Sequence, residues 1–160
     1  MSVLEPFSDD FSLRVRDDAF YMKEALREAE KALEEDEIPI GAVIVSAGEI
    51  IGRGHNQTER LGDVTAHAEM LAITSAQNAL GSKVLPDCDL YVTVEPCVMC
   101  AGAIRWSRFR KIVWGCDEPK VGFTRISDSG ILHPKTEVVR GILADEAATL
   151  LRDFFKSKRH

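Results

Sequence analysis

Four residues in two short segments combine side chains that bind metals with one that can transfer protons. The segment TAHAEM, at residues 65–70, carries His67 and Glu69, and the later segment VEPCVMC carries Cys97 and Cys100. Two cysteines separated by two residues at the start of a helix place their sulfurs one turn apart on the same side, where backbone N–H groups favour thiolates. Cys97 and Cys100 are therefore suited to bind one metal ion together.

His67 is predicted to lie near the start of another helix. Both helices follow sheet elements, so their amino termini can face each other and bring the three ligands together. A structural zinc site normally has four protein ligands, whereas a catalytic site has three and leaves a position for water. Three ligands plus water are favoured, because no ligand spacing links the trio to Cys88, Cys116, His55 or His133. The cysteine pair has two alternative interpretations, a redox pair and two buried small residues.

Glu69 is a candidate for proton transfer beside this metal. Zinc with two thiolates and a neutral histidine is formally neutral, so a nearby glutamate need not become a ligand and can handle protons instead. Taken alone, Glu69 would be an exposed acid in the first turn of a helix, stabilised by the helix dipole. The cysteine pair downstream favours the proton-transfer role.

Length and composition predict one compact domain. A chain of 160 residues can bury a core without disulfides. Its hydrophobic share of 45% and charged share of 29% are typical of soluble globular proteins, and no apolar run approaches the length that crosses a bilayer. The segment MSVLEPFSDDF is acidic and lacks the features of a secretory signal, which predicts a cytoplasmic protein with reduced thiols.

The overall charge limits any role for nucleic acid. A formal net charge of −6 and a pI near 5.3 disfavour general affinity for phosphates, which comes largely from positive charge. A nucleic-acid partner must therefore contact a local basic patch. The chain offers two, RWSRFRK at residues 105–111 and KSKRH at residues 156–160, and both are also compatible with ordinary solvated surface.

Helical periodicity and β-branched runs predict the elements that position these residues. An amphipathic helix is expected over residues 17–35, followed by a hairpin that turns at residues 46–48. Residues 57–64 are expected to form a loop. The next helix is predicted over residues 66–80, with Thr65 as its cap.

The second half of the chain is predicted to alternate strands with helices. Strands are expected at DLYVTV and KIVWG, separated by a helix that has Pro96 in its first position and ends near Trp106. Residues 116–136 have no clear period, which predicts a lid or binding loop. A last strand over residues 138–143 and a last helix over residues 145–158 complete the prediction.

The order of these elements favours an α/β fold in three αβα layers, with a mixed five-stranded sheet covered by helices on both faces. Residues 1–16 are predicted to be an N-terminal extension, to which no function is assigned. Residues 17–160 are predicted to form a single domain.

The order His-x-Glu, then Pro-Cys-x-x-Cys, is the signature of zinc-dependent nucleobase deaminases. Beyond this signature, the chain resembles bacterial tRNA adenosine deaminases over about residues 18–156, in the segments PIGAVIV, GHN, TAHAEM, LYVTVEPCVMCAGAI and GILADEAATLLRDFF. The resemblance implies a cytidine deaminase-like fold, a homodimer, and conversion of the wobble adenosine of an anticodon to inosine. Residues 17–160 would then be the zinc-dependent deaminase domain.

The resemblance also implies a division of roles within the site. Zinc held by His67, Cys97 and Cys100 makes water available as a nucleophile near neutral pH. Glu69 carries a proton to the ring nitrogen of the base and then to the departing ammonia.

Substrate contacts are implied in the same way. Asn56, at the end of a strand, binds the flipped base, although an asparagine there is also common as a turn residue. The backbone around Ala68 and the apolar side chain of Ile40 complete the pocket. The Asp-x-Lys stretch of the family stands here as Glu118-Pro119-Lys120, which implies a contact with the RNA backbone.

The last helix offers an aromatic contact to RNA. Phe154 and Phe155 are adjacent, so their side chains point about 100° apart, and one can enter the core while the other faces outward beside the basic tail. An outward aromatic ring can stack on an unpaired base of the anticodon arm. The alternative is that both rings are partly buried against the sheet.

Two other functions remain open. The segments around the predicted zinc site are shared with guanine deaminases, and IRWSR resembles an aromatic-rich run of those enzymes, so a free purine base is an alternative substrate. A non-catalytic zinc subunit of a heteromeric deaminase is a third possibility. Such a subunit would not need a proton-transferring glutamate, and this chain has Glu69.

Overall fold

The computed structural model describes residues 16–127 and 130–159, which form one five-stranded sheet with helices on both faces. This confirms the predicted three-layer α/β fold. The helices are α1 (Asp18–Glu34), α2 (Thr58–Leu61), α3 (Ala68–Leu80), α4 (Val98–Ser107), α5 (Phe123–Ile126) and α6 (Ala144–Lys158). The strands are β1 (Gly41–Ser46), β2 (Glu49–His55), β3 (Cys88–Val94), β4 (Lys111–Cys116) and β5 (Glu137–Arg140).

Strand directions bring the carboxyl ends of four strands to one edge of the sheet. The strand order is β2-β1-β3-β4-β5. Strand β1 is antiparallel to both β2 and β3, whereas β3, β4 and β5 are parallel. Strands β2, β3, β4 and β5 therefore all end at the edge where β1 begins. We refer to this as the carboxyl edge of the sheet.

The alternation of side chains along the strands produces two apolar layers. Ala42, Ile44 and Leu90 face α3 and α4, and join a core that also contains fully buried Trp114. Their neighbours Val43 and Val45 face the opposite layer, which is covered by α1 and α6. Because β1 and β3 are covered on both faces, they consist almost entirely of buried residues.

Helix starts differ from the predictions in ways that local hydrogen bonds explain. Thr65 is not the cap of α3, because its backbone N–H and its hydroxyl both bond to Asp63 Oδ1, at 2.8 and 2.7 Å. The cap is His67, so α3 begins two residues later than predicted. Pro96 is likewise not the first residue of α4, because Cys97 is the cap and the helix begins after it.

The predicted loops contain two short helices. Residues 57–64 include α2, whose first turn is held by Glu37. The buried Glu37 carboxylate accepts the backbone N–H groups of Glu59 at 3.1 Å and Arg60 at 2.6 Å. Residues 116–136 include α5, and residues 128 and 129 of this segment lie outside the described residues.

The last strand is shorter than predicted and ends at Arg140. Gly141 follows with a φ of 86°, which turns the chain out of the sheet. Of the predicted N-terminal extension, only Arg16 is within the described residues, and it donates to the carbonyl of Gly48 at 3.2 Å. Among the helices that the structure describes, none combines the length and apolar composition needed to cross a membrane.

Two glycines of β2 allow α3 to approach the sheet closely. A Cβ atom at Gly52 would lie 2.6 Å from the carbonyl oxygen of Ala72, and one at Gly54 would collide with the carbonyl oxygen of Ala68. Only glycine therefore fits at these positions. The close approach determines where α3 begins relative to the carboxyl edge.

Gly52→Ala is expected to lower the free energy of unfolding by about 1–3 kcal/mol, because the added methyl group would force the α3 backbone away from β2. The matched control is Gly102→Ala on α4, where an added Cβ meets no atom within 4 Å. That change should stabilise the protein by up to about 1 kcal/mol through helix propensity. Chemical denaturation checks both values, and equal effects of the two substitutions would contradict the packing argument.

Candidate active site

The amino-terminal ends of α3 and α4 bring the three predicted metal ligands together at the carboxyl edge. His67 precedes α3, Cys97 precedes α4, and Cys100 lies one turn into α4. The Nδ1 atom of His67 lies 3.7 Å from Cys97 Sγ and 3.6 Å from Cys100 Sγ. All three ligand atoms lie within 4.8 Å of one another.

These distances suit tetrahedral zinc. With Zn–S bonds of about 2.3 Å and Zn–N bonds of about 2.0–2.1 Å, a nitrogen and a sulfur ligand of one tetrahedron are about 3.6 Å apart. One histidine and two cysteines are also a donor set that zinc favours. Within the described residues, no further histidine, cysteine or acid joins the cluster. The protein thus offers three ligands.

The other histidines and cysteines considered as a fourth ligand, His55, His133, Cys88 and Cys116, do not belong to the cluster. The Nε2 atom of His55 lies 3.0 Å from a carboxylate oxygen of Glu35, and the Nδ1 atom of His133 accepts the backbone N–H of Lys135 at 3.1 Å. Cys88 begins β3 and is buried. Cys116 ends β4, where burial raises the pKa of its thiol to about 11.

Hydrogen bonding at the cluster favours a thiolate at Cys97. The hydrogen bond from Cys100 lowers the pKa of the Cys97 thiol to about 3, and His67 acts in the same direction. The same bond raises the pKa of Cys100, whose thiol is the donor. The pKa of His67 is raised, chiefly by its hydrogen bond with Cys97. At neutral pH, Cys97 is therefore in the form that binds metals.

Glu69 lies in the first turn of α3 with only 4% of its surface exposed. Burial raises the pKa of its carboxyl group to about 7, and the negative charge of Cys97 adds to this effect. A carboxyl group with a pKa near neutrality can both take up and release a proton. Glu69 is therefore buried rather than exposed, and its chemistry suits a proton carrier.

A cavity of about 210 Å³ opens beside these residues. Its wall includes most of the residues that the sequence predicted for the site: Ile40, Asn56, His67, Ala68, Glu69, Cys97, Glu118 and Phe155. Cys100, Lys120 and Phe154 do not line it. The cavity also has lining residues that the sequence did not suggest: Ile38, Thr58, Val94, Glu95, Val121 and Leu151.

Asn56 lies at the cavity, 5% exposed, directly after β2. Its side-chain oxygen accepts the backbone N–H of Thr58 at 3.3 Å, and its Nδ2 atom donates to the carbonyl of Ile38 at 3.4 Å. A primary amide has two donor hydrogens and two acceptor lone pairs. The side chain thus keeps both a donor and an acceptor for a ligand.

Glu118 lines both the cavity and a neighbouring groove, whereas Lys120 lines only the groove. The Glu118 carboxylate lines the cavity, but it also accepts the backbone N–H of Lys120 at 2.7 Å. We call this neighbouring groove the basic groove. Its lining residues are Glu118, Pro119, Lys120, Val121, Leu151, Arg152, Phe155, Lys158 and Arg159.

The two phenylalanines of α6 have different environments. Phe154 is 8% exposed, and its ring packs edge-on against Phe155 with ring centres 5.3 Å apart. Phe155 is 42% exposed and lines both the cavity and the basic groove. In the basic tail, Lys158 is paired with Asp36 at 2.6 Å.

Comparisons with known proteins agree with this geometry. The model of the cytidine and deoxycytidylate deaminase zinc-binding region matches residues 15–116. The chain is 46% identical to the tRNA-specific adenosine deaminase of Agrobacterium fabrum over 143 residues, which cover 87% of this chain and 94% of the relative. The chain belongs to the tRNA-specific adenosine deaminase family. The predicted family is confirmed, and the zinc-binding region together with the His–Cys–Cys cluster makes this member a zinc-dependent deaminase.

The fold of this deaminase is similar to solved structures of two kinds of enzyme. One comes from a study of A-to-I editing by tRNA:A34 deaminases at the wobble position of transfer RNA. It has a TM-score of 0.77 and 45% identity, and the match covers 82% of this chain and 98% of that one. A guanine deaminase from Nitrosomonas europaea has a TM-score of 0.73 and 27% identity, and the match covers 85% of this chain and 83% of that one. The fold is thus shared by both, whereas the identity is higher with the tRNA-acting enzyme.

Proposed function

We propose that this protein converts the wobble adenosine of transfer RNA to inosine by zinc-dependent hydrolysis, with release of ammonia. The observation that carries this proposal is the His67–Cys97–Cys100 cluster beside buried Glu69, in a chain 46% identical to a tRNA-specific adenosine deaminase. Residues 17–160 are proposed to act as one deaminase domain.

We assign zinc binding to His67, Cys97 and Cys100, because their ligand atoms have the separation and chemistry that tetrahedral zinc needs. Bound zinc supplies Lewis-acid activation of water near neutral pH. Glu69 is assigned as the proton carrier. It takes a proton from the attacking water and delivers it to the ring nitrogen of adenine, and it then carries the remaining proton of that oxygen to the amino group, which leaves as ammonia. This sequence requires the same carboxyl group to accept and donate.

The cavity is proposed to hold the flipped adenine base. Asn56 offers a donor and an acceptor to the base edge, while Ile40 and the backbone at Ala68 form the adjoining wall. A base in a loop enters such a pocket at lower unstacking cost than a base in a duplex. The target adenosine is therefore expected to be unpaired.

The basic groove is proposed to hold the anticodon arm next to the flipped base. Lys120, Arg152 and Arg159 supply positive charge there, although the whole chain carries a net charge of −6. Phe155 lies between cavity and groove, where its exposed ring can stack on a neighbouring base. Phe154 supports that ring from the core side, and Glu118 joins the cavity to the groove. We also propose that the enzyme is cytoplasmic, because its proposed substrate is transfer RNA.

A homodimer is also proposed. Helix α4, which carries the cysteine pair, exposes Val98 and 74% of Trp106, and Val64 before α3 is 82% exposed. Association of two chains over these residues would remove their apolar surface from water, which supports the homodimer that the resemblance implies.

The proposed substrate can be tested by incubating the purified protein with an anticodon stem-loop and with free guanine, adenine and cytosine derivatives. Inosine should appear at the wobble position, and affinity for the stem-loop should fall as salt rises, because the basic groove contacts phosphates. Mass analysis of the nucleosides and ammonia release measure the products. Turnover of free guanine with untouched RNA would support the guanine deaminase alternative instead.

Glu69→Ala is expected to abolish turnover while zinc stays bound at one ion per chain, because Glu69 carries protons and is not a ligand. Cys97→Ser should lose both zinc and turnover. Cys88→Ser is the matched control and should retain both, since Cys88 lies outside the cluster. Elemental analysis and the inosine assay provide the measurements, and loss of zinc from the Glu69 variant would show that Glu69 is a ligand.

Trp106→Glu should convert the dimer to monomers, because a carboxylate would be buried at the interface. Light scattering should then report one chain of 17.7 kDa instead of two. Leu33→Glu on α1 makes the same chemical change in the opposite layer, where Leu33 is also exposed, and should leave the mass unchanged. A monomeric wild-type protein would refute the dimer.

A further inference from the structure

Glu95 is a buried carboxylate that the proposed chemistry does not use. It directly follows β3, comes two residues before Cys97, and is 4% exposed. In the described part of the chain, its partners are neither lysine nor arginine side chains. They are hydrogen-bond donors of one later segment, residues 118–124.

Both oxygens of Glu95 hold this segment, one at each end. Oε1 accepts the backbone N–H of Glu118 at 3.0 Å. Oε2 accepts the backbone N–H of Thr124 at 3.0 Å and the Thr124 hydroxyl at 2.6 Å. Hydrogen bonds to an ionised acceptor are about twice as strong as those between neutral groups. A single carboxylate therefore ties together two residues that are six positions apart.

The residues between these ends fit closely around Glu95. A Cβ atom at Gly122 would collide with the Glu95 carboxylate, so the segment can approach it only with glycine there. Gly122 also forms a β-bridge with Cys97, and the backbone N–H of Phe123 donates to the carbonyl of Pro96 at 2.9 Å. The ring of Phe123 packs edge-on against Trp114, with ring centres 5.5 Å apart.

The segment held in this way forms one wall of the cavity, through Glu118 and Val121, and part of the basic groove. We propose that Glu95 is a positioning residue that fixes this wall relative to the metal ligands and thereby sets how tightly the target nucleotide is bound. The inference rests on the proposed function for the identity of that nucleotide. The hydrogen bonds and the close packing at Gly122 are independent of it.

The reacting groups are carried by other elements. His67 and Glu69 belong to the start of α3, and the cysteines belong to the start of α4. Loosening the segment should therefore weaken nucleotide binding more than it slows the chemical step. This predicts a change in KM rather than in kcat.

Glu95→Gln replaces one acceptor oxygen with an NH2 group and removes the charge. We expect KM for the anticodon stem-loop to rise about tenfold, with kcat changed less than about twofold. Zinc content should stay at one ion per chain. The matched control is Glu30→Gln on α1, an exposed position away from the cavity, which should leave KM unchanged. A fall in kcat at constant KM, or loss of zinc, would overturn the proposal.

Thr124→Val is a milder second variant, because it removes only the hydroxyl bond to Glu95 and keeps the backbone bond. KM should rise by about threefold, and an unchanged KM would overturn the proposal even if the Glu95 variant fails to fold.

Hydrogen exchange tests the positioning without any substrate. The amides of Glu118 and Thr124 should be protected in the wild-type protein and should exchange faster in the Glu95→Gln variant, while amides of β1 should not change. Equal exchange of the two amides in both proteins would overturn the inference. If the wild-type protein fails to deaminate the stem-loop, the proposed function fails, and the exchange experiment still decides the role of Glu95.

Discussion

The close packing of α3 against β2 is the constraint on which the candidate site depends. Gly52 and Gly54 have no side chains, so the helix backbone lies directly on the strand. This contact places His67 and Glu69 at the carboxyl edge, where α4 also begins. The parallel arrangement of β3 and β4 brings the segments that follow them, with Glu95 and Cys97 after β3, to the same edge. The metal ligands therefore meet because backbone geometry leaves their helices few alternative positions.

Three buried glutamates of the chain have two kinds of environment. Glu69 is buried beside a thiolate, and its pKa rises to about 7. Glu37 and Glu95 are buried as deeply, but backbone N–H groups surround their oxygens. Backbone N–H groups that donate to both oxygens of Glu37 and of Glu95 make these side chains anchors for the backbone. The same residue type thus serves proton transfer in one place and loop anchoring in two others.

The sequence was most informative where a residue type and its spacing determine the chemistry. Spacing and residue type predict His67, Glu69, Cys97 and Cys100 as site residues, and the alternation of helices and strands predicts the five-stranded sheet. Periodicity did not locate the helix starts, because Thr65 bonds to Asp63 instead of capping α3. The anchoring role of Glu95 could not be inferred either. Its partners include the backbone N–H groups of residues 118 and 124. Because almost every residue type has a backbone N–H group, the sequence does not indicate which of these groups will bind a given carboxylate.

The residues that begin α3 and α4 have a consequence for folding. Helices are usually stabilised by a serine, threonine, aspartate or asparagine at this position, worth about 1 kcal/mol. Here the positions belong to His67 and Cys97. His67 makes no side-chain cap bond to α3, and Cys97 has only its weakly accepting sulfur, which bonds to Cys100 in the first turn of α4. Zinc binds only when both helix starts are in place, so its binding energy stabilises them. Fraying of these two helices and release of the metal are therefore linked steps of one equilibrium.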